Sequence, residues 1–270
     1  ATALDKALLY EMLQITNKKL AESNEALKML DTAKSEFISI ASHQLRAPLT
    51  VIKGYVSMTL EGSFGKVTEK TKGALLKVAV SAEQLIKLIG DMLNLSRMES
   101  GKIQYRFVEA DRVAVAKGVI DEYQPEAKKR GLEILFDNKL PGEFLMKFDP
   151  DKIREVVINL VHNAIKYTPK GKITVELSQH DGVNDRVRLA VCDEGMGIKP
   201  GDISRLFTKF VRTDQAQISD PNGMGIGLYF VKRVAEDHGG RVWAESEGIG
   251  NASTFAGVLP PPAVVRPTKE

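Results

Sequence analysis

The sequence is poor in the residues that mark several protein classes. One cysteine, Cys192, excludes an internal disulfide framework and fits a reducing compartment. It stands in the apolar run LAVC, which reads as a buried structural thiol. No stretch approaches the ~18 consecutive apolar residues of a spanning helix, and the N-terminus lacks a signal peptide. The chain as given is therefore expected to be soluble and cytoplasmic, with no membrane contact of its own. Its 38 basic and 35 acidic residues leave a net charge of only +3, with no concentrated basic stripe. Aromatics make up 6% of the chain and are not interleaved with basic residues, so no nucleic-acid platform is expected.

What is present is helical periodicity at the front and strand-like runs behind it. Leu13, Leu20 and Leu27 recur every seven residues, with Leu9, Leu30 and Phe37 offset by three or four. That spacing marks a coiled-coil seam, imperfect because Thr16 and Ser23 interrupt its second register. The other reading of these leucines is one amphipathic helix packed on its own domain; a parallel dimer is the favoured one. Helical spacing continues through Ile38, Ala41, Leu45, Ile52 and Tyr55, with a kink expected at Pro48. Gly62 and Gly65 mark a turn. A second amphipathic stripe follows, with Leu75, Ala79, Ala82, Leu85, Ile89 and Met92. Two such helices form an αα-hairpin whose apolar stripe stays uncovered, and two hairpins in a homodimer would close a four-helix bundle.

From about residue 103 the texture changes. The runs IQYRFV, LEILFD, EFLMKF, KITVELS, VRLAVCD, RVWAES and STFAGVL alternate with helical patterns at 111–130, 151–167 and 225–238. Several strands are adjacent in sequence, which predicts a mixed sheet with helices on one face. The expected organisation is a coiled-coil helix at 1–32, a hairpin at 33–101, an α/β sandwich at 102–259 and a disordered tail at 260–270. The fold class is α+β.

Three segments carry candidate chemistry. On the helix opened by Asp149 and Pro150, Glu155, Asn159, Asn163 and Lys166 share one stripe. Amide oxygens suit Mg²⁺ and a lysine suits phosphate, although a solvated polar face fits this helix alone equally well. In VCDEGMGIKP a strand ends at Asp193, followed by Gly195 and Gly197. A buried aspartate can accept from an exocyclic amine and glycines admit a flat ring, yet an ordinary Gly-rich turn fits too. In NGMGIGLYF, Gly223, Gly225 and Gly227 run into a helix, offering backbone N–H groups and a positive dipole end to phosphates. The spacing matches neither the P-loop nor the dinucleotide fingerprint.

Order and spacing together are more specific than any one segment. INLVHNAIKYT resembles the N box, VCDEGMG the first glycine box, LFTKF the F box and GMGIGL the second glycine box of sensor histidine kinases of two-component systems. SEFISIASHQLRAPLTVIKGY resembles their H box, so the resemblance covers about residues 33–258. It implies a phosphoacceptor hairpin followed by a Bergerat-like ATP-binding sandwich. The implied reaction is autophosphorylation of His43 by Mg·ATP, then transfer to an aspartate of a response-regulator receiver domain. His43, Gln44 and Arg46 would carry the hairpin's part of the chemistry. His43 shares a helix face with Ser39, Arg46, Ala47 and Thr50, which predicts an exposed imidazole competent to attack a γ-phosphoryl group. His162, His180 and His238 lack that setting and read as structural or surface residues, with no zinc spacing.

By the same resemblance Asp193 holds the adenine amine, Asn163 ligates Mg²⁺ with Asn159 beside it, and Lys166 and Tyr167 line ribose and phosphates. Gly195, Gly197, Ile198, Gly223, Gly225, Gly227 and Leu228 complete the ATP site. The segment 198–225 forms a lid, with Phe207 and Phe210 anchoring its start. Two positions depart from the pattern. Gln44 stands where the family has Glu or Asp and cannot take a proton, and Ala47 stands where many relatives have Thr or Asn. The alternative reading is a nucleotide-binding dimeric scaffold impaired by Gln44. With no sensing unit ahead of the first helix, the chain reads as part of a longer protein, with a membrane receptor or a cytosolic sensor both open as the missing region.

Overall fold

The computed structural model describes residues 3–101, 103–140, 144–179, 186–220 and 223–259. His180 and the segment 260–270 lie outside these. The chain divides into two units, Ala1–Ile103 and Gln104–Glu270.

The first unit is two helices, α1 (Ala3–Leu60) and α2 (Glu69–Glu99). At 1.5 Å per residue, the 58 residues of α1 span about 87 Å. The helix runs unbroken through Pro48, which has no N–H to donate to the Gln44 carbonyl one turn earlier. Gly62 and Gly65, at φ 88° and 101°, turn the chain, and Thr68 caps α2 by accepting from the Thr71 N–H at 3.2 Å. Ion pairs Lys34–Glu99 (2.8 Å) and Lys53–Glu83 (2.7 Å) bridge the two helices and set their register, so α1 projects well beyond the hairpin at its N-terminal end.

The seam between α1 and α2 is small and partly polar. Ser35, Ile38, Ser42 and Val56 are buried on α1, and Ala82, Ile89, Leu95, Ser96 and Met98 on α2. The stripes read from the sequence lie largely outside this seam and stay uncovered in the single hairpin. Of the α1 set only Ile38 is buried; Leu45, Ile52 and Tyr55 are exposed, as are Leu85 and Met92 on α2. Each helix carries two adjacent apolar faces, and one partner helix covers only one of them. Leu13, Leu20 and Leu27 are also exposed, so their own unit does not cover them.

The second unit is an α/β sandwich. Its strands are β1 (Val108–Asp111), β2 (Leu132–Asn138), β3 (Leu145–Phe148), β4 (Gly171–Gln179), β5 (Val187–Asp193), β6 (Arg241–Ser246) and β7 (Ser253–Leu259). β1 and β3 pair antiparallel, and the main sheet has the order β2-β4-β5-β7-β6. Only β2 and β4 are parallel, so the sheet is mixed as expected. The helices α3 (Arg112–Lys129), α4 (Pro150–Tyr167) and α7 (Gly227–Asp237) pack on it, with the short α5 (Pro200–Ile203) and α6 (Asp214–Ser219) in the connection between β5 and α7.

Strand alternation builds the core: Ile173, Val175 and Leu177 of β4 are buried while Lys172 is exposed. They meet the buried α4 face of Ile153, Val157, Val161 and Ile165. Asp149 caps α4 from β3's end, accepting from the Lys152 N–H at 3.0 Å, with Pro150 at the first helical position.

One expected strand is absent. IQYRFV contributes only Val108 to β1. The Arg106 N–H donates to the Asp149 carboxylate (2.7 Å) and the Tyr105 hydroxyl to Asp237 (2.7 Å), so side chains rather than a neighbouring strand satisfy this segment. Among the described residues no helix is long and apolar enough to cross a membrane.

Candidate functional site

α4 is the platform of the site. Its amphipathic sequence buries Val156, Leu160, Val161 and Ala164, which leaves Glu155, Asn159, Asn163 and Lys166 half-buried along one edge. The Asn159 amide donates to the Glu155 carbonyl (2.8 Å), which directs its oxygen outward. A side chain at Gly227 would meet that oxygen at 2.7 Å, so the start of α7 lies directly against Asn159. The Asn163 carboxamide has no hydrogen-bond partner among the described residues. Two amide oxygens on one half-buried edge are hard, neutral donors of the kind that hold Mg²⁺ beside phosphates, so these residues fit that ion.

At the C-terminal end of α4 the first glycine turn closes in. The Met196 N–H donates to the Tyr167 carbonyl (3.2 Å), and a Cβ on Gly195 would meet that oxygen at 2.6 Å and Asp193 Oδ1 at 2.4 Å. Gly197, at φ 70°, lies so close to the Gly248 carbonyl that a Cβ would stand 2.0 Å away. Ile198 is buried and its N–H donates to Ser246 Oγ (3.0 Å). These bonds fix Asp193 at the strand end, 4% exposed. Burial pushes its carboxyl up from the usual 3.8 to about 6, opposed by the Gly195 N–H that donates to Oδ1 at 2.9 Å. Thr168 Oγ1 is buried nearby without a partner among the described residues.

The second glycine segment runs into α7, whose first turn has no side-chain cap. Its leading N–H groups and positive dipole end therefore remain available to an anion. Leu228 is half-buried in that turn. Residues 207–220 between the two glycine segments carry defined local structure. Phe207 is half-buried; Phe210 is 61% exposed and takes a left-handed φ of 61°, held by its N–H donating to the Gly225 carbonyl (3.1 Å). Thr213 caps α6, and the Arg212 guanidinium donates to the Ala216 (2.7 Å) and Asp220 carbonyls at its far end. Lys166 Nζ meets Asp220 Oδ2 at 2.6 Å and stacks 4.6 Å from its neighbour Tyr167's ring centroid. Asp220 is the site residue that sequence reasoning missed; only the fold brings it to Lys166.

His43, Gln44 and Ala47 are exposed on α1 and Arg46 is half-buried, all in the first unit and so in a different body from the residues above. His162 is half-buried within α4. His238 is buried: its Nδ1 faces the Val234 carbonyl (2.8 Å) and its Nε2 accepts from the Asp149 N–H (3.3 Å). That pairing requires the neutral ring, and burial lowers its proton affinity. It is a structural histidine.

Residues 33–101 match the His Kinase A (phospho-acceptor) domain, and residues 148–263 match the histidine kinase-, DNA gyrase B- and HSP90-like ATPase. The circadian input-output histidine kinase CikA of Synechococcus elongatus is 32% identical over 282 residues, 99% of this chain and 37% of that protein. The sensor histidine kinase WalK of Bacillus subtilis is 31% identical over 231 residues, 84% of this chain and 37% of that protein. Full-length ShkA, solved in complex with AMPPNP, superposes with TM-score 0.69 at 28% identity, over 85% of this chain and 46% of that one. A phosphoacceptor hairpin joined to an ATPase sandwich defines the class: the chain belongs to the sensor histidine kinases of two-component systems. It spans little more than a third of the length of CikA or WalK.

Proposed function

We propose that this chain transfers the γ-phosphoryl group of ATP to His43 and then to an aspartate of a response-regulator receiver domain. The observation that carries the reading is convergence. Asp193, the glycine turn after it, the polar edge of α4 and the uncapped start of α7 meet around one helix, on a chain that also carries an exposed histidine. The scaffold alternative gains no support from the relatives, which are named as kinases.

In this reading the Asp193 carboxylate accepts from the adenine amine, and Gly195 and Gly197 let the ring lie against backbone. Tyr167 and Ile198 bound the ring and ribose; Gly223, Gly225, Gly227 and Leu228 bring N–H groups to the phosphates, and Lys166 adds a point charge. Asn163, with Asn159 beside it, would hold Mg²⁺, which supplies charge neutralisation on the phosphates. The neutral His43 imidazole attacks the γ-phosphorus in line: an N–P bond forms, the bond to the bridging oxygen breaks, ADP leaves, and the proton of the resulting imidazolium passes to water. Gln44 and Arg46 border His43, the amide orienting the ring and the guanidinium offering charge to the incoming phosphoryl group. Phe207 and Phe210 anchor the lid 198–225.

The uncovered faces of α1 and α2 support a homodimer that closes a four-helix bundle, with residues 1–32 as a coiled coil relaying the input signal. ATP and receiver domains place the reaction in the cytoplasm. The test is incubation with Mg²⁺ and ATP labelled in the γ- or the α-phosphate, followed by addition of a receiver domain. Acid-labile label from the γ-position alone, which then moves to the receiver domain, is expected. Binding of ATP without any label would refute the transferase reading.

A further inference from the structure

The ion pair between Lys166 and Asp220 joins the platform helix to the lid. Lys166 is only 16% exposed and Asp220 33%, so water screens the pair incompletely. Asp220 is also bonded into its surroundings through its backbone. Its N–H donates to the Ala216 carbonyl (3.1 Å), its carbonyl accepts from Arg212, and the Gly223 N–H reaches the same carbonyl at 3.2 Å. Residues 212–220, with the Thr213-capped α6 between them, are thus one small folded body whose carboxylate sits on the lysine ammonium.

A carboxylate at 2.6 Å from an ammonium has the charge and oxygen geometry that a phosphate oxygen would present there. We propose that Asp220 sets the nucleotide affinity of this chain: its carboxylate stands in for a phosphate oxygen on Lys166 and must be displaced when a nucleoside triphosphate binds. The inference rests on the reading of Lys166 as a phosphate ligand. Binding exchanges one salt bridge for another, and the released carboxylate, repelled by the phosphates, takes the 212–220 body with it. Apparent affinity is then the intrinsic affinity reduced by the fraction of molecules with Lys166 unpaired. Adenosine, which brings no phosphate, does not compete with Asp220.

The test measures binding of Mg·AMPPNP and of adenosine to the full chain by calorimetry. Asp220→Asn keeps shape and removes charge, and should tighten AMPPNP binding about fivefold while leaving adenosine unchanged, the scale of one partly screened ion pair. Asp214→Asn, which removes the same charge from the exposed first turn of α6, should have less than a third of that effect. Lys166→Gln should weaken AMPPNP about tenfold, and adding Asp220→Asn to it should recover nothing.

A normal loss in Lys166→Gln with no gain in Asp220→Asn overturns the competition and leaves the phosphate role of Lys166 standing. Unchanged affinity in Lys166→Gln overturns that role and the competition with it. Equal gains in Asp214→Asn and Asp220→Asn, or a gain that persists without Lys166, reduce the effect to general charge and overturn the proposal.

Discussion

Replacing Asp193 by Asn should make the second unit more stable at alkaline pH while depriving it of nucleotide. Asp193 is 4% exposed, and burial raises its carboxyl from 3.8 to about 6. At about 1.4 kcal/mol for each tenfold change in proton affinity, keeping it charged at pH 8 costs about 3 kcal/mol. Asparagine keeps an oxygen for the Gly195 N–H and removes the charge, but buries an amide with no assured partner. The expected gain is therefore about 1–2 kcal/mol. The sign follows from linkage: between pH 3.8 and about 6 the folded state binds more protons than the unfolded one, so this group lowers stability as pH rises through that window. The advantage of Asn should be full above about pH 7 and absent below about pH 4. Trp243 is the sole tryptophan and lies in β6, so urea unfolding followed by its fluorescence reports on this unit alone. Calorimetry should show AMPPNP affinity down about 10–100-fold, the loss of a charged hydrogen bond. A variant less stable than the parent at pH 8, or one whose advantage grows toward pH 4, would refute the reasoning.

Further outcomes follow from the same structure. Gly197→Ala forces a Cβ to 2.0 Å from the Gly248 carbonyl at a φ of 70° and should destabilise the sandwich by about 3 kcal/mol or more, with Trp243 fluorescence lost early and hairpin helicity by circular dichroism retained. Tyr105→Phe removes the hydroxyl that donates to Asp237 and should cost about 1 kcal/mol in the same urea assay, with no change in AMPPNP affinity. Gln44→Glu should speed His43 labelling about tenfold by supplying a proton acceptor, and Ala47→Thr should raise dephosphorylation of the receiver domain without altering labelling. If each leaves its respective rate unchanged, the roles given to these two positions are wrong.

How far the sequence was legible depended on how local each determinant is. Asp149-Pro150 capping α4, the periodicity of α4 and α7, and the alternation in KITVELS are all carried by neighbours in the chain. IQYRFV failed because Tyr105 and Phe107 pack against His238 and Arg106 bonds Asp149, partners that tertiary structure alone supplies. The stripe through Leu45, Ile52 and Tyr55 was legible as apolar, but which of two overlapping apolar faces meets α2 was not. The candidate site could be read as three motifs in order, yet Asp220 could not. It lies in a polar stretch 54 residues from Lys166, and only the packing of α6 and the residues after it against α4 joins them.

The central claim is that His43 accepts the γ-phosphoryl group. The most direct measurement is labelling of the full chain with Mg²⁺ and γ-labelled ATP beside His43→Ala, with label tested for acid and alkali lability. Acid-labile, alkali-stable label on the parent and none on His43→Ala, with equal AMPPNP affinity in both, is the predicted result. Label that persists in His43→Ala, or that survives acid, would contradict it.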